Sequence, residues 1–215
     1  MDFGSALTYQ FRDPRWMHKC LMAALLSLIP VIGQVFVLGW ALEITRRVID
    51  GASELLPEVD LPTDLLRGLK GWGINLVYAL PAILVTFPLA LGIGLLIATR
   101  DSRAAEVWGL ALLCLTVGLI AYSLLLGFVL PATYAVFIAQ GEHLSAGLNF
   151  RRVYSLLRGA PVAYFMVFIG GLMCALITFI GLAGCIIGVV LTATYSLTVQ
   201  AHLYGQAYRE SVVIG

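Results

Sequence analysis

Three stretches of this chain, residues 72–99, 107–139 and 159–208, contain no Asp, Glu, Lys or Arg. Uncharged runs of that length leave few folds open. A soluble domain coats itself with charge, about a quarter of its residues, whereas this chain of 215 residues is 12% charged and 60% hydrophobic, with a mean hydropathy of +0.96. The same figures exclude disorder, which goes with polar, charge-rich sequence. The expected fold class is all-α: a polytopic membrane helix bundle in one integral membrane domain over residues 1–215.

Four apolar blocks, at residues 20–42, 72–98, 107–139 and 160–205, carry the pattern. The last exceeds one span of about 20 residues and is expected to fold back at Gly181-Leu182-Ala183-Gly184, giving spans near 160–180 and 184–207. The first holds Leu28-Ile29-Pro30-Val31-Ile32-Gly33-Gln34, a turn signal inside apolar surroundings. It is either one kinked span or two short helices near 14–29 and 34–49. A helix of about sixteen residues is about 24 Å long against a bilayer core of about 30 Å, so a short pair needs neighbours to bury it or a locally thinned bilayer. The run outlasts a signal-peptide core and no small-residue cleavage site closes it, so it reads as retained membrane structure.

Charge placement separates the two arrangements. With a hairpin in the first block, Arg12, Arg15, Lys19, Arg46, Arg47, Arg67, Lys70, Arg151, Arg152, Arg158 and Arg209 share one side, and Arg100 and Arg103 face the other. One kinked span divides the same 13 cations eight to five. Cations gather on the cytoplasmic side of membrane proteins. The expectation is therefore about six membrane segments as three helical hairpins, multi-pass in the cytoplasmic (inner) membrane, with both termini cytoplasmic.

Internal similarity points the same way. Val129-Leu130-Pro131-Ala132-Thr133-Tyr134 recurs as Val190-Leu191-Thr192-Ala193-Thr194-Tyr195, and more weakly at residues 37–42. Upstream, Leu65-Leu66-Arg67-Gly68 is echoed by Leu156-Leu157-Arg158-Gly159. The implied repeat is a short amphipathic segment followed by a hairpin, three times over. At helical spacing Leu65, Leu66, Leu69 and Trp72 share a face away from Asp64, Arg67 and Lys70, and Phe150, Val153, Leu156 and Leu157 oppose Arg151, Ser155 and Arg158. Such segments lie in the headgroup plane as interfacial amphipathic helices. They read either as a collar that sets helix depth or as a specific lipid site, with Arg67, Lys70, Arg151, Arg152 and Arg158 as candidate contacts to lipid headgroups.

Other signals are weaker. The stretch 50–64 carries Asp50, Glu54, Glu58, Asp60 and Asp64 without a cation, which suits either a solvated loop or a basic protein partner. A net charge of +1 implies no field for nucleic acid. Cys20, Cys114, Cys174 and Cys185 form no CxxC pair and read as apolar packing residues. Glu43 stands one turn before Arg46 and Arg47, the spacing of a local ion pair. Gly181, Gly184 and Gly188 read as a packing face, and Pro81, Pro88 and Pro131 as bends or hinges within spans.

Residues of the last span are the most polar, and Tyr195, Thr198 and His202 fall on one stripe by their i, i+3, i+7 spacing. That stripe is either a candidate polar cleft for a substrate or headgroup, or a set of interhelical hydrogen bonds. Catalytic, metal and cofactor sites are not expected: His18, His143 and His202 are scattered, no HExxH, GxSxG or phosphate loop occurs, and no acid lies at depth to serve a nucleophile. The same lack of an ionisable relay argues against a proton-coupled carrier.

Phe11-Arg12-Asp13-Pro14-Arg15-Trp16, Leu26 to Gln34, Arg46-Arg47-Val48-Ile49-Asp50-Gly51 and Leu56-Pro57-Glu58 together carry a family likeness. On these residues the chain resembles the prokaryotic integral membrane family filed as domain of unknown function 4013. The resemblance covers essentially the whole chain, with its specific part in residues 11–71. It implies bacterial or archaeal origin and a multi-helix protein of the cytoplasmic membrane, and brings no activity or site residues. In layout alone the chain is similar to the non-catalytic membrane domains of glycerophosphodiester phosphodiesterases. The expected function is a non-catalytic scaffold or accessory subunit that organises lipid or partner proteins; the alternative is a transporter or lipid translocase working through the polar stripe.

Overall fold

The computed structural model describes residues 1–51, 56–99 and 102–214 and is all-helical, with no strand among them. In chain order it contains α1 (Phe3–Thr8), a 3-10 turn (Tyr9–Arg12), α2 (Trp16–Ser27), α3 (Ile32–Ile49), α4 (Leu61–Thr99) and α5 (Ser102–Ala139). Then follow α6 (Leu144–Gly147), α7 (Phe150–Gly159), α8 (Pro161–Ile180), a second 3-10 turn (Gly181–Gly184) and α9 (Cys185–Ile214). Glu54 and Arg100, which entered the charge reading, lie outside the described residues, as do the side chains of Arg103 and Cys185.

The break between α2 and α3 follows from three neighbouring residues. Pro30 cannot continue the helical ladder. Val31, at φ 64 and ψ −63, forms a γ-turn of the rare hand, closed by the Ile32 amide donating to the Pro30 carbonyl at 2.7 Å. Gly33 is then required, because a Cβ there would overlap the Leu26 carbonyl oxygen. The Gln34 side-chain amide donates to the Ser27 carbonyl at 3.1 Å, satisfying one open acceptor at the end of α2. The two helices pack on each other either side of this turn.

Sequence and structure part company at the second amphipathic segment. Residues 64–72 are the opening turns of α4, which runs without interruption from Leu61. The start is fixed at Asp60, whose carboxylate accepts from the Thr63 hydroxyl at 2.7 Å, while the Asp60 amide donates to Asp64 at 3.1 Å. The third segment does form a separate helix, α7. Asn149 caps it by accepting from the Arg152 amide at 3.2 Å, and Ala160, at φ −138, ends it before Pro161 opens α8. Pro81, Pro88 and Pro131 all lie inside continuous helices.

Among the described residues three helical stretches are long and apolar enough to cross a bilayer: Leu61–Gly92, Ala111–Ala139 and Pro161–Gly184. The chain is a membrane protein by that measure.

The fold divides into two compact units, Met1–Ile74 with Phe128–Gly215, and Asn75–Gly127. In the first unit one apolar cluster gathers Tyr164 and Val167 of α8 with Leu203 and Ala207 of α9, and another gathers Phe36, Trp40 and Ile44 of α3 with Tyr9 and Ala23. Helix α3 is buried over most of its length, from Val35 to Thr45, with Leu38 half-buried. Two crossings hold it. Gly39 and Gly68 let the backbones of α3 and α4 touch, since a Cβ at Gly39 would overlap the Asp64 carbonyl and one at Gly68 the Val35 carbonyl. Gly205 gives α9 the same access to Val48 of α3. Gly181 and Gly188 face each other across the α8–α9 turn, and Gly184 points into open space, so these three do not form one packing face. In the second unit Leu76, Leu84, Phe87, Leu91, Leu113 and Val117 are outward-facing, and the Tyr122 hydroxyl donates to the Tyr78 carbonyl at 2.6 Å.

Candidate functional site

The most concentrated chemistry lies in the first unit, where the α3–α4 glycine crossing brings Glu43, Asp64 and Arg67 together and the turn after α5 adds Glu142. Arg67 is 3% exposed at its side chain. Its Nη1 donates to Asp64 Oδ1 at 3.0 Å and its Nε to Glu142 Oε1 at 2.6 Å, while Nη2 faces Glu43 Oε2 at 3.1 Å. Glu142 reaches in because the chain turns through Gly141 (φ 75) and Glu142 (φ 63), with the Glu142 amide donating to the Phe137 carbonyl at 3.0 Å. The expected local pair is present as well: Glu43 Oε1 lies 2.8 Å from Arg46 and 3.3 Å from Arg47. Lys70 stands 4.0 Å from Glu142 at the rim.

This arrangement corrects the reading of Arg67 as a lipid contact. The guanidinium is spent on three carboxylates inside the protein, whereas Leu66, Leu69 and Trp72 point outward. Along this segment Asp64 and Arg67 are turned inward.

A second cluster ties the N-terminal region to the loop before α4. Lys19, itself buried, donates to Asp13 Oδ2 and to the Leu56 carbonyl, both at 2.7 Å, and lies 3.2 Å from Glu58. Arg15 meets Glu58 at 2.5 Å, and the Arg15 amide donates to Asp13 Oδ1 at 2.7 Å. Burial works against ionisation of Asp13. The Lys19 and Arg15 hydrogen bonds and charges outweigh it and hold the carboxyl below the usual carboxylate range. Three of the acids in the stretch 50–64 are thus engaged at home: Glu58 with Lys19 and Arg15, Asp60 with Thr63, and Asp64 with Arg67.

The polar stripe on α9 exists as its spacing requires, and the first residues of the chain fill it. The Tyr195 hydroxyl donates to the Leu7 carbonyl at 3.1 Å, and the Thr198 hydroxyl lies 3.1 Å from Gln10 Oε1. The His202 ring packs on Tyr9 with centroids 4.6 Å apart, and its Nδ1 is 3.0 Å from Gln206 Nε2. Gln206 in turn exchanges hydrogen bonds with the Asp2 backbone at 2.9 and 3.1 Å. Thr198 is 1% and His202 8% exposed, so this side of α9 is covered rather than open.

The remaining candidates lie on α7. Arg151, Arg152 and Arg158 are all exposed. Arg152 lies against the side-chain oxygen of Gln140. Phe150, expected on the apolar face of this helix, is 60% exposed, and Val153 alone of that set is fully buried. Cys20, Cys114 and Cys174 are free thiols. Among the described residues no three His, Cys, Asp or Glu side chains are placed to hold a metal ion.

A family model described as "Protein of unknown function (DUF4013)" matches residues 22–201. Comparison with curated proteins and with solved structures returns no match.

Proposed function

We propose, from the premise that this chain belongs to the DUF4013 family, that it is a non-catalytic integral membrane protein, a scaffold or accessory subunit that organises lipid or partner proteins. The observation that carries this reading is the filling of the α9 stripe. Tyr195, Thr198 and His202 spend their polar groups on Leu7, Gln10 and Gln206, the His202 ring packs on Tyr9, and Thr198 and His202 are buried with Tyr195 half-buried. The ionic residues serve the same end: each cluster clamps helices and loops to one another.

In this reading the chain crosses the cytoplasmic membrane of a prokaryote in six segments arranged as three repeated hairpins, α2–α3, α4–α5 and α8–α9. The packing of α2 on α3 and of α8 on α9 supports it, as does the eleven-to-two division of cations that puts both termini in the cytoplasm.

A translocase reading is favoured by one feature, the polar stripe itself, and requires residues 2–10 to leave it. Proteoliposomes holding the purified chain are expected to pass dithionite-accessible lipid and small solutes no faster than protein-free vesicles. Protein-dependent flux that Thr198→Val or His202→Phe abolishes would overturn the scaffold in favour of the translocase.

A further inference from the structure

We propose that α7 and the entrance of α8 form a binding site for an anionic phospholipid, with Arg151 and Arg158 receiving the headgroup phosphate and an apolar slot beside Gly159 receiving the acyl chain. The inference deepens the scaffold reading and rests on it, by naming the lipid class and the residues that hold it.

The first support is charge left open. Of the three arginines on α7, Arg152 is engaged by Gln140, whereas Arg151 and Arg158 have no carboxylate within 4 Å among the described residues. They are seven positions apart and therefore on one helix face, with Tyr154 between them and Phe150 beside it. Phe150 and Tyr154 are 60% and 65% exposed. Exposed aromatic rings alternating with arginine suit the boundary between headgroups and acyl chains. Water alone would not favour two large rings there.

Depth is the second support. Only Ala160 separates α7 from Pro161, the first residue of a helix apolar enough to span. Helix α7 therefore sits where that span enters the bilayer, at the level of lipid phosphate. Beyond it α8 offers Val162, Phe165, Met166 and Ile169 outward, a continuous apolar track of the kind an acyl chain covers.

The third support is a pocket of about 290 Å³ at this junction, lined by Gly159, Ala160, Pro161, Val162, Ala163 and Met166. Met1 and Glu210 line it as well, and the two are paired with each other. Arg158 directly precedes the pocket in sequence, so phosphate and chain sites are adjacent.

Native mass spectrometry of the full chain, released from mild detergent after incubation with phosphatidylglycerol or phosphatidylcholine, tests the assignment. An arginine near an anionic lipid surface favours binding about fivefold, so the pair is worth roughly 25-fold. Phosphatidylglycerol adducts are expected to exceed phosphatidylcholine adducts by that order and to fall to the same level in R151Q/R158Q. R151K/R158K is expected to keep most of the preference, and R152Q to keep all of it. Equal adducts of the two lipids, a preference that survives R151Q/R158Q, or displacement by millimolar inorganic phosphate would each overturn the site. Loss of this site with silent proteoliposomes leaves the scaffold reading standing, whereas flux with intact lipid selection removes the scaffold and keeps the site.

Discussion

Leu65-Leu66-Arg67-Gly68 and Leu156-Leu157-Arg158-Gly159 are the same four residues in two settings. In the first, Arg67 is enclosed by Glu43, Asp64 and Glu142, and Gly68 lies directly on the backbone of α3. In the second, Arg158 is exposed, and the nearest atom to a Cβ on Gly159 would be the Ser211 carbonyl oxygen at 3.9 Å. The second leucine exchanges roles with the arginine: Leu66 is 58% exposed, whereas Leu157 packs against the core, and the first leucine, Leu65 or Leu156, packs against a core in both. The tetrapeptide does not decide which way it faces. Three carboxylates supplied from elsewhere do, together with a helix close enough to demand glycine.

The widest separation between the two copies is expected for the arginines. Arg67→Met leaves buried Asp64 without its cation and takes one cation each from Glu43 and Glu142, and is expected to cost about 3–5 kcal/mol. Arg158→Met is expected to stay within about 0.5 kcal/mol. Thermal unfolding of the two variants in one detergent checks this, and equal midpoints would end the comparison.

The glycines come next. Gly68→Ala forces a methyl group onto the Val35 carbonyl and is expected to destabilise by about 1–3 kcal/mol. Gly159→Ala meets only the Ser211 carbonyl oxygen at ordinary contact distance and is expected to change stability by no more than about 1 kcal/mol, with stabilisation the expected sign, because alanine is the better helix former. The same unfolding series reads both.

The smallest effect is that of acid. An unfolded aspartate takes up its proton near pH 3.9, and folded Asp13 holds out to lower pH because of Lys19 and the Arg15 amide. The Asp13–Lys19 contribution is therefore complete above that unfolded value and is lost as pH falls through the folded one. Asp13→Asn is expected to show a shallower fall in unfolding midpoint below pH 4, while Arg158→Met follows the parent, since an arginine does not titrate there.

How much of this was legible in the sequence depended on the reach of each interaction. The α2–α3 break showed itself through Pro30 and Gly33, which act locally, and the observed ends at Ser27 and Ile32 fall within a few residues of expectation. The Glu43–Arg46–Arg47 pairing was visible for the same reason. Arg67 was misread because Glu142 is 75 positions away, and no periodicity within residues 64–72 announces a partner at that distance. Helical spacing revealed Tyr195, Thr198 and His202 as a stripe. Its occupant, 188 residues earlier, left no mark on α9. The continuity of α4 was hidden by the change from charged to apolar sequence after Lys70, which alters composition without interrupting the helix.

The enclosure of α3 sets an order for assembly. This helix presents almost nothing to lipid, yet it is made early, and the surfaces that shelter Thr45 and Val48 belong to the last helix of the chain. Between the synthesis of α3 and that of α9 the nascent protein therefore carries a centrepiece without its lid. Whatever holds the growing chain at the insertion machinery has to shield the open side of that helix until Ala201 and Gly205 arrive, because α2 and α4 cover only its other faces.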